Sequence, residues 1–304
     1  MRKLAWVAAL LACTVGTAQN SFETLTYWEQ DSVSLQLDLF QPQTLTPALK
    51  PLVIYVHGGG FAKGDRAGGH GLCEYLSGQG MVAATISYTL YMKDKSFSCD
   101  GVLAEKIHAI RLAANQLWQA TRFFLERADE YGVDPSQVFI AGSSAGAETL
   151  LHAAYWDRDV MGLYPGKLPK KFQYAGLIGG AGAIMDLNRI TAETAIPALL
   201  FHGSADPVVP YATAAHHYCT PDAPGWLMLF GSHAIYEHYC RIGAPVALHS
   251  FCGGGHRFAG AYFYKDQEVV GHFIREVLDG AHFQNHQVFR KGHADTPDGQ
   301  VFCD

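Results

Sequence analysis

Short apolar segments alternate along the chain with longer amphipathic ones, and this alternation constrains the fold more than any other feature of the sequence. Residues 52–56, Leu-Val-Ile-Tyr-Val, are apolar at every position, which is typical of a strand covered on both faces. Residues 33–40 instead alternate polar and apolar side chains, as a half-buried strand does. The remaining predicted strands are 81–87, 138–141, 174–178, 198–201 and 246–251.

Helical segments are predicted between these strands. Parallel neighbours joined through helices make right-handed crossovers, so the sequence predicts an α/β fold with one mostly parallel, twisted sheet flanked by helices. No linker divides the chain, and we expect one domain over 19–284 with a polar C-terminal tail, 285–304, packed on it. Residues 88–101 and 156–173 interrupt the alternation and are predicted to be small lid insertions. The predicted helices are 71–79, 102–131 (long enough to be broken), 145–156, 233–242 and 267–278.

The composition excludes several classes of protein. Of the 304 residues, 49% are hydrophobic, which is enough for a large core and excludes a disordered chain. The net charge of −6 excludes a basic nucleic-acid scaffold, so we expect no nucleic-acid partner. No apolar run reaches the ~18 residues that a membrane helix needs, so no stable membrane span is expected.

Residues 1–18 have the layout of a secretory signal peptide. Two basic residues precede an apolar stretch at 4–12, and Gly16 and Ala18 are small residues that suit cleavage after position 18. We therefore expect a secreted or periplasmic protein. A lipoprotein signal anchored at Cys13 is the less favoured alternative, because the residues before it fit that pattern poorly.

Six cysteines would remain after removal of this signal, and an even number in an exported chain predicts disulfides. Cys73 and Cys99 are the pair we favour, because both are expected near the carboxyl edge of the sheet. Free, buried thiols are the alternative. No pair of cysteines has C-x-x-C spacing and the 15 histidines are scattered, so no metal site is predicted.

The strongest local motif is Gly142-Ser143-Ser144-Ala145-Gly146, which fits G-x-S-x-G and lies between a predicted strand and a predicted helix. In a nucleophile elbow the serine occupies a strained turn, and small neighbours let strand and helix approach each other. The helix N-terminus also helps to stabilise negative charge. Ser144 is therefore the candidate nucleophile.

A second motif, His-Gly-Gly-Gly-Phe at 57–61, follows the strand at 52–56 directly. Its glycines leave backbone N–H groups uncovered and permit unusual backbone angles. Acyl transfer needs such donors aimed at the developing oxyanion. We expect the N–H groups of Gly59, Gly60 and Ala145 to form the oxyanion hole.

A general base and an acid should complete this site. Asp206 follows the strand at 198–201, and His256 lies on a glycine-rich loop after the strand at 246–251. Both positions are at the carboxyl ends of strands, where sheets of this kind place their sites. The competing candidates are His233, His238, His249 and His272 for the base, and Asp222 and Glu237 for the acid.

Together these motifs resemble the α/β-hydrolase superfamily, in which nucleophile, acid and base occur in the chain order Ser144, Asp206, His256. Within it the chain is similar to carboxylesterases that carry the His-Gly-Gly-Gly motif, close to the group of carbohydrate-active and feruloyl-type esterases. The resemblance covers residues 33–280 and implies the α/β-hydrolase fold. One departure is Glu148, which stands where a small residue is common and puts the polarity of the pocket floor in question.

The resemblance implies a serine esterase that needs no metal or organic cofactor, and the predicted signal peptide adds the expectation that this enzyme is exported. His256 would take the proton of Ser144, Asp206 would orient His256, and an acyl-enzyme would form and then be hydrolysed. Acyl decorations of polysaccharides are the expected substrate class, beside small-molecule esters. The alternatives are a serine peptidase of the prolyl-oligopeptidase type and a non-catalytic binding protein with the hydrolase fold.

Overall fold

The computed structural model describes residues 22–43 and 48–290 of the chain. The strands in this part form a nine-stranded sheet and a small three-stranded sheet. In chain order they are β1 (Glu23–Gln30), β2 (Val33–Phe40), β3 (Lys50–Val56), β4 (Val82–Ile86), β5 (Val133–Ser143), β6 (Gly176–Gly180), β7 (Ala183–Ile184), β8 (Ala198–Gly203), β9 (Thr213–Ala215), β10 (Met228–Gly231), β11 (Val246–Phe251) and β12 (Gln284–Phe289).

Helices connect most of these strands. Within the described ranges no helix is both long and apolar enough to cross a membrane. Four short 3₁₀ turns occur at Arg66–Gly69, Leu187–Arg189, His216–Tyr218 and His256–Gly260. The α-helices are α1 (His70–Gly78), α2 (Leu103–Glu126), α3 (Ala128–Tyr131), α4 (Ala145–Tyr155), α5 (Arg158–Met161), α6 (Ser232–Ile242), α7 (Ala261–Tyr264) and α8 (Glu268–Leu278).

The larger sheet has the strand order β1-β2-β4-β3-β5-β6-β8-β11-β12. The first two strands form an antiparallel hairpin, which joins the rest through the antiparallel pair β2–β4. From β4 to β12 all neighbours pair in parallel, with Ile54 of β3 opposite Ala84 on one side and Ile140 on the other. The predicted α/β fold with a mostly parallel sheet is therefore confirmed.

Successive side chains of β3 belong to cores on opposite faces of the sheet. Leu52 and Ile54 pack in the cluster that includes α2, α4 and α6. Val53 and Tyr55 pack in the second cluster, with α1, α7 and α8. Because both faces of this strand are covered, every position of the segment is apolar. The carboxyl ends of the parallel strands share one edge of the sheet, and this edge brings their loops together.

The predicted strands and helices are all present, with shifts of a few residues at their ends. The helix predicted over 102–131 is broken at Arg127, between α2 and α3. The sequence analysis missed β1 and β12 of the large sheet and all three strands of the small sheet, β7, β9 and β10. Strand β12 begins where the polar tail was expected. Residues 1–21 and 291–304, which include the predicted signal and the rest of the tail, lie outside the described residues.

The predicted disulfide between Cys73 and Cys99 is wrong. Cys73 is buried on α1 against the sheet and is a free thiol. Cys99 instead forms a disulfide with Cys219, 120 residues further along the chain. The reason is geometric, since α1 turns Cys73 toward one face of the sheet while the loop with Cys99 meets another loop above the sheet edge. Cys252 is also disulfide-bonded.

We predict that replacing Cys99 and Cys219 together by serine lowers the free energy of unfolding by about 2–5 kcal/mol, because the crosslink closes a long loop of the unfolded chain. Denaturant unfolding measures this loss, with Cys240→Ser at a free, partly exposed thiol as the control. Peptide mapping of the non-reduced protein should link the peptides of Cys99 and Cys219. A map that links Cys99 to Cys73 would contradict the assignment.

Candidate active site

Ser144 occupies a strained turn between β5 and α4. Its backbone angles are φ 52° and ψ −123°, a conformation that L-residues rarely adopt. The turn requires close contact with the end of β3, since a Cβ atom on Gly146 would lie 2.1 Å from the carbonyl oxygen of Val56. The backbone N–H of Ser144 donates to the carbonyl of Gly180 on the other side, at 2.7 Å. These contacts lift the serine hydroxyl above the edge of the sheet, as the G-x-S-x-G motif predicts.

The side chains of Ser144, His256 and Asp206 form a continuous chain of hydrogen bonds. Ser144 Oγ lies 2.8 Å from His256 Nε2. His256 Nδ1 lies 2.7 Å from Asp206 Oδ2. Because a carboxylate can only accept, Nδ1 carries the proton, and Nε2 is left to accept the proton of the serine. This is the arrangement that a general base beside a nucleophile requires.

Backbone hydrogen bonds hold the loops that carry Asp206 and His256 against each other. The N–H of Ala205 donates to the carbonyl of Gly254 at 2.9 Å, and the N–H of Ser204 donates to Phe251 at 3.0 Å. The N–H of Gly253 in turn donates to Ser204 Oγ at 2.9 Å. Asp206 and His256 are therefore positioned by adjacent loops at the ends of β8 and β11.

Asp206 is fully buried, and every donor around it stabilises its charged form. The N–H groups of Val208 and Val209 donate to Oδ1, at 2.8 and 3.2 Å. Burial alone would raise the pKa of Asp206, but the hydrogen bonds from His202 and His256 outweigh it and hold this pKa well below its ordinary value. His202, whose Nε2 lies 3.2 Å from Asp206 Oδ2, was missed by the sequence analysis. Its position four residues before the acid was the available signal.

The loop at 57–61 lies beside Ser144 and presents free backbone donors. Gly59 and Gly60 have φ values of 119° and 62°, and a Cβ on Gly59 would lie 1.9 Å from the carbonyl oxygen of Lys63. Tyr88 supports the loop from below by donating its hydroxyl proton to the carbonyl of His57, at 3.0 Å. Within the described ranges, no hydrogen-bond acceptor partners the N–H groups of the three predicted oxyanion-hole residues, Gly59, Gly60 and Ala145.

A cavity of about 760 Å³ opens above these groups, a volume that suits a small-molecule substrate. It is lined by Ser144, Ala145, His256 and residues 57–60. Phe97 and Ser98, from the first predicted lid, form part of its wall. The second predicted lid, 156–173, borders a separate surface cleft.

The competing candidates for acid and base lie elsewhere. Glu237 lies 3.8 Å from His233 along α6. His249 Nδ1 lies 2.8 Å from the hydroxyl of Tyr262. The other competing candidates are His238, His272 and Asp222. None of the six candidates lines the cavity beside Ser144. In the described part of the chain, no cluster of three or more His, Cys, Asp or Glu side chains is arranged to hold a metal ion.

Glu148 and His216 also line the cavity, and both are almost completely buried. Burial raises the pKa of Glu148 to about 8, although the ammonium group of Lys106 opposes this shift. Burial also lowers the pKa of His216 well below its ordinary value. Glu148 departs from the expected motif, whereas nothing local in the sequence marks His216.

Comparison with known families identifies the family to which the chain belongs. A family model described as BD-FAE matches residues 37–193, which is just over half of the chain and includes both the 57–61 loop and the Ser144 turn. The chain belongs to the BD-FAE family. The matched region ends before Asp206 and His256, so their assignment depends on the geometry described above.

Curated relatives of this BD-FAE family member align over about a third of the chain. Human arylacetamide deacetylase-like 3 is 31% identical over 114 residues, which are 37% of this chain and 25% of that protein. Esterase LipI of Mycobacterium tuberculosis is 29% identical over 113 residues, 37% of this chain and 31% of that protein. The alignments thus span less than a third of the length of either relative.

A solved structure confirms the fold of the BD-FAE family member over most of its length. The esterase Est2 of Thermogutta terrifontis superposes with a TM-score of 0.64 at 21% sequence identity, covering 85% of this chain and 93% of Est2. The predicted α/β-hydrolase fold is therefore correct.

We predict that Glu148→Gln becomes more stabilising, relative to the wild type, as pH rises from about 4.5 to about 8. In this window the unfolded chain ionises Glu148 while the folded chain keeps it neutral, so the wild type loses free energy of unfolding and the glutamine variant does not. The difference should grow by about 2–4 kcal/mol across the window.

Denaturant unfolding at a series of pH values measures this difference. Glu29→Gln, at an exposed position on β1, serves as the control and should give a constant difference. A constant difference for Glu148→Gln as well would show that the folded protein holds this carboxyl in its charged form.

Proposed function

We propose that this protein is a carboxylic ester hydrolase in which Ser144 is the nucleophile, His256 the general base and Asp206 the acid that orients it. The observation that carries the proposal is the hydrogen-bond chain from Ser144 Oγ through His256 to Asp206, with both links under 3 Å. The esterase and deacetylase names of the relatives agree with this chemistry.

The first half of the reaction would form an acyl-enzyme. As Ser144 Oγ bonds to the ester carbonyl carbon, its proton passes to His256 Nε2 and the carbonyl oxygen becomes an oxyanion. The N–H groups of Gly59, Gly60 and Ala145 stabilise this charge at the N-terminus of α4. The C–O bond to the alcohol then breaks, and His256 returns the proton to the leaving oxygen.

The second half would release the acid by the same steps with water. His256 takes a proton from the water molecule while its oxygen attacks the acyl carbon. The tetrahedral intermediate collapses, Ser144 Oγ leaves and regains its proton from His256, and the free carboxylic acid dissociates. Asp206 keeps its negative charge throughout and stabilises the transient imidazolium. No step requires a metal or an organic cofactor.

We also propose that the enzyme is exported and acts on small-molecule esters or on acyl groups attached to polysaccharides. The signal-like composition of residues 1–18 and the Cys99–Cys219 disulfide support export, because disulfides persist in oxidising compartments. Membership of the BD-FAE family is compatible with a carbohydrate-linked ester.

We predict that an organophosphorus ester such as paraoxon adds covalently to Ser144 and abolishes ester hydrolysis. The T. terrifontis esterase that shares this fold has been described phosphorylated by paraoxon, which recommends the probe. Mass spectrometry of the digested protein should place the adduct on the peptide that contains residues 143 and 144, and Ser144→Ala should remove both labelling and turnover.

Ser143→Ala is the matched control, because this neighbouring hydroxyl is buried and lies 3.2 Å from the hydroxyl of Tyr55 rather than in reach of His256. The control variant should label as the wild type does. Labelling that survives in Ser144→Ala, or disappears only in Ser143→Ala, would overturn the proposed nucleophile.

A further inference from the structure

Glu148 and His216 form a polar patch in the wall of the substrate cavity. Glu148 lies one helical turn after Ser144, and its N–H donates to the carbonyl of Ser144 at 2.9 Å. His216 follows β9, lines the same cavity and lies next to Glu148. Carboxyl and imidazole side chains are rarely buried without a hydrogen-bond partner.

Two atoms of this patch have no hydrogen-bond partner among the described residues. They are Glu148 Oε1 and His216 Nδ1, and their side chains are only 2% exposed. The two groups approach each other, with Glu148 Oε1 3.5 Å from His216 Nε2, but they do not satisfy each other. Because buried polar atoms are normally hydrogen-bonded, a pair that lines a cavity and lacks partners points to a ligand group.

Hydrogen bonds and a disulfide of the neighbouring loops hold the patch in place. The N–H of His216 donates to the carbonyl of Leu227 at 2.8 Å. The Cys99–Cys219 disulfide fixes the loop three residues further on, and the N–H of Gly225 donates to the carbonyl of Cys99 at 2.9 Å. Lys106 closes the back of this region by donating to the carbonyl of Gly225 at 2.6 Å.

The charge state of the pair restricts which ligand group it can recognise. Because burial raises the pKa of Glu148 to about 8 and lowers that of His216, both side chains are mainly uncharged near neutral pH. A neutral carboxyl group and a neutral imidazole each offer one donor and at least one acceptor. A hydroxyl group, which both donates and accepts, complements such a pair, whereas an ammonium group can only donate and would leave the donors of the pair without an acceptor.

We propose that Glu148 and His216 form a subsite that hydrogen-bonds a hydroxyl group of the ester substrate, on either its alcohol or its acyl part. This inference rests on the proposed esterase function and makes its substrate class more specific. The enzyme should prefer hydroxylated esters, such as those of polyols and sugars or those of hydroxy acids, over alkyl esters of the same shape.

The test compares kcat/KM within two pairs of esters of matched shape. Glycerol 1-acetate and 2-methylbutyl acetate differ in the hydroxyl groups of the alcohol, and 4-nitrophenyl glycolate and 4-nitrophenyl propionate differ in one hydroxyl of the acyl group. We expect the wild type to prefer the hydroxylated ester in one pair by at least ~10-fold, because an apolar analogue leaves the buried groups unpaired. The pair that shows the preference identifies the part of the substrate that is bound.

Glu148→Leu should reduce that preference ~10-fold, whereas Glu148→Gln should retain most of it, because the amide keeps a donor and an acceptor in the same place. His216→Leu removes the other half of the subsite and should also reduce the preference. It gives an independent result if Glu148→Leu does not fold, which a thermal unfolding curve would show.

Equal kcat/KM values within both pairs for the wild type would overturn the subsite. A preference that survives both leucine substitutions would also overturn it. So would leucine variants that lose activity equally on all four esters. These outcomes are distinct from failure of the proposed function, in which the wild type hydrolyses none of the esters and Ser144 is not labelled. Hydrolysis that depends on Ser144 but shows no hydroxyl preference would overturn the subsite alone.

Discussion

The close backbone approach around Ser144 is the constraint on which the rest of the site depends. A Cβ on Gly146 would collide with the carbonyl of Val56, and one on Gly58 would lie 2.8 Å from the carbonyl oxygen of Ser143. The turn after β5 and the loop after β3 are therefore in direct backbone contact. This contact places the serine hydroxyl and the N–H groups of the glycine loop around one point, and neither motif could do so alone.

Electrostatics explains why Asp206 is buried while His256 is partly open to the cavity. The side chain of Asp206 is fully buried, whereas that of His256 is 29% exposed. A buried carboxylate is tolerated here because two backbone N–H groups and two histidines surround it. The polar groups around Asp206 thus hold a negative charge beside the imidazole that we propose as the general base.

Sequence analysis predicted the parallel sheet and the grouping of Ser144, His256 and Asp206, because both leave local signals in the sequence. A strand buried on both faces must be apolar throughout, and a backbone that approaches another backbone must be glycine, as at Gly146. The edge strands β1 and β12 were missed because they are exposed and largely polar, so their pairing depends on a neighbour rather than on their own pattern.

Features that depend on long-range contacts could not be predicted in the same way. The partner of Cys99 is 120 residues away, and only the fold brings it to that loop. His202 and His216 matter through their neighbours, Asp206 and Glu148. The position of His202 four residues before Asp206 is a weak local signal, and His216 has none. Glu148 was noticed only because it replaces a small residue, and its burial beside Lys106 required the structure.

The central claim is that Ser144, His256 and Asp206 act as one catalytic unit, and a double-mutant cycle tests it most directly. We would compare the kcat of ester hydrolysis for Asp206→Asn, His256→Ala and the double variant, with the exposed Asp222→Asn as the control. Each single variant should lose about 10³–10⁴-fold, and the double variant should lose no more than the worse single variant. Losses that multiply in the double variant, or near-normal turnover in Asp206→Asn, would contradict the account.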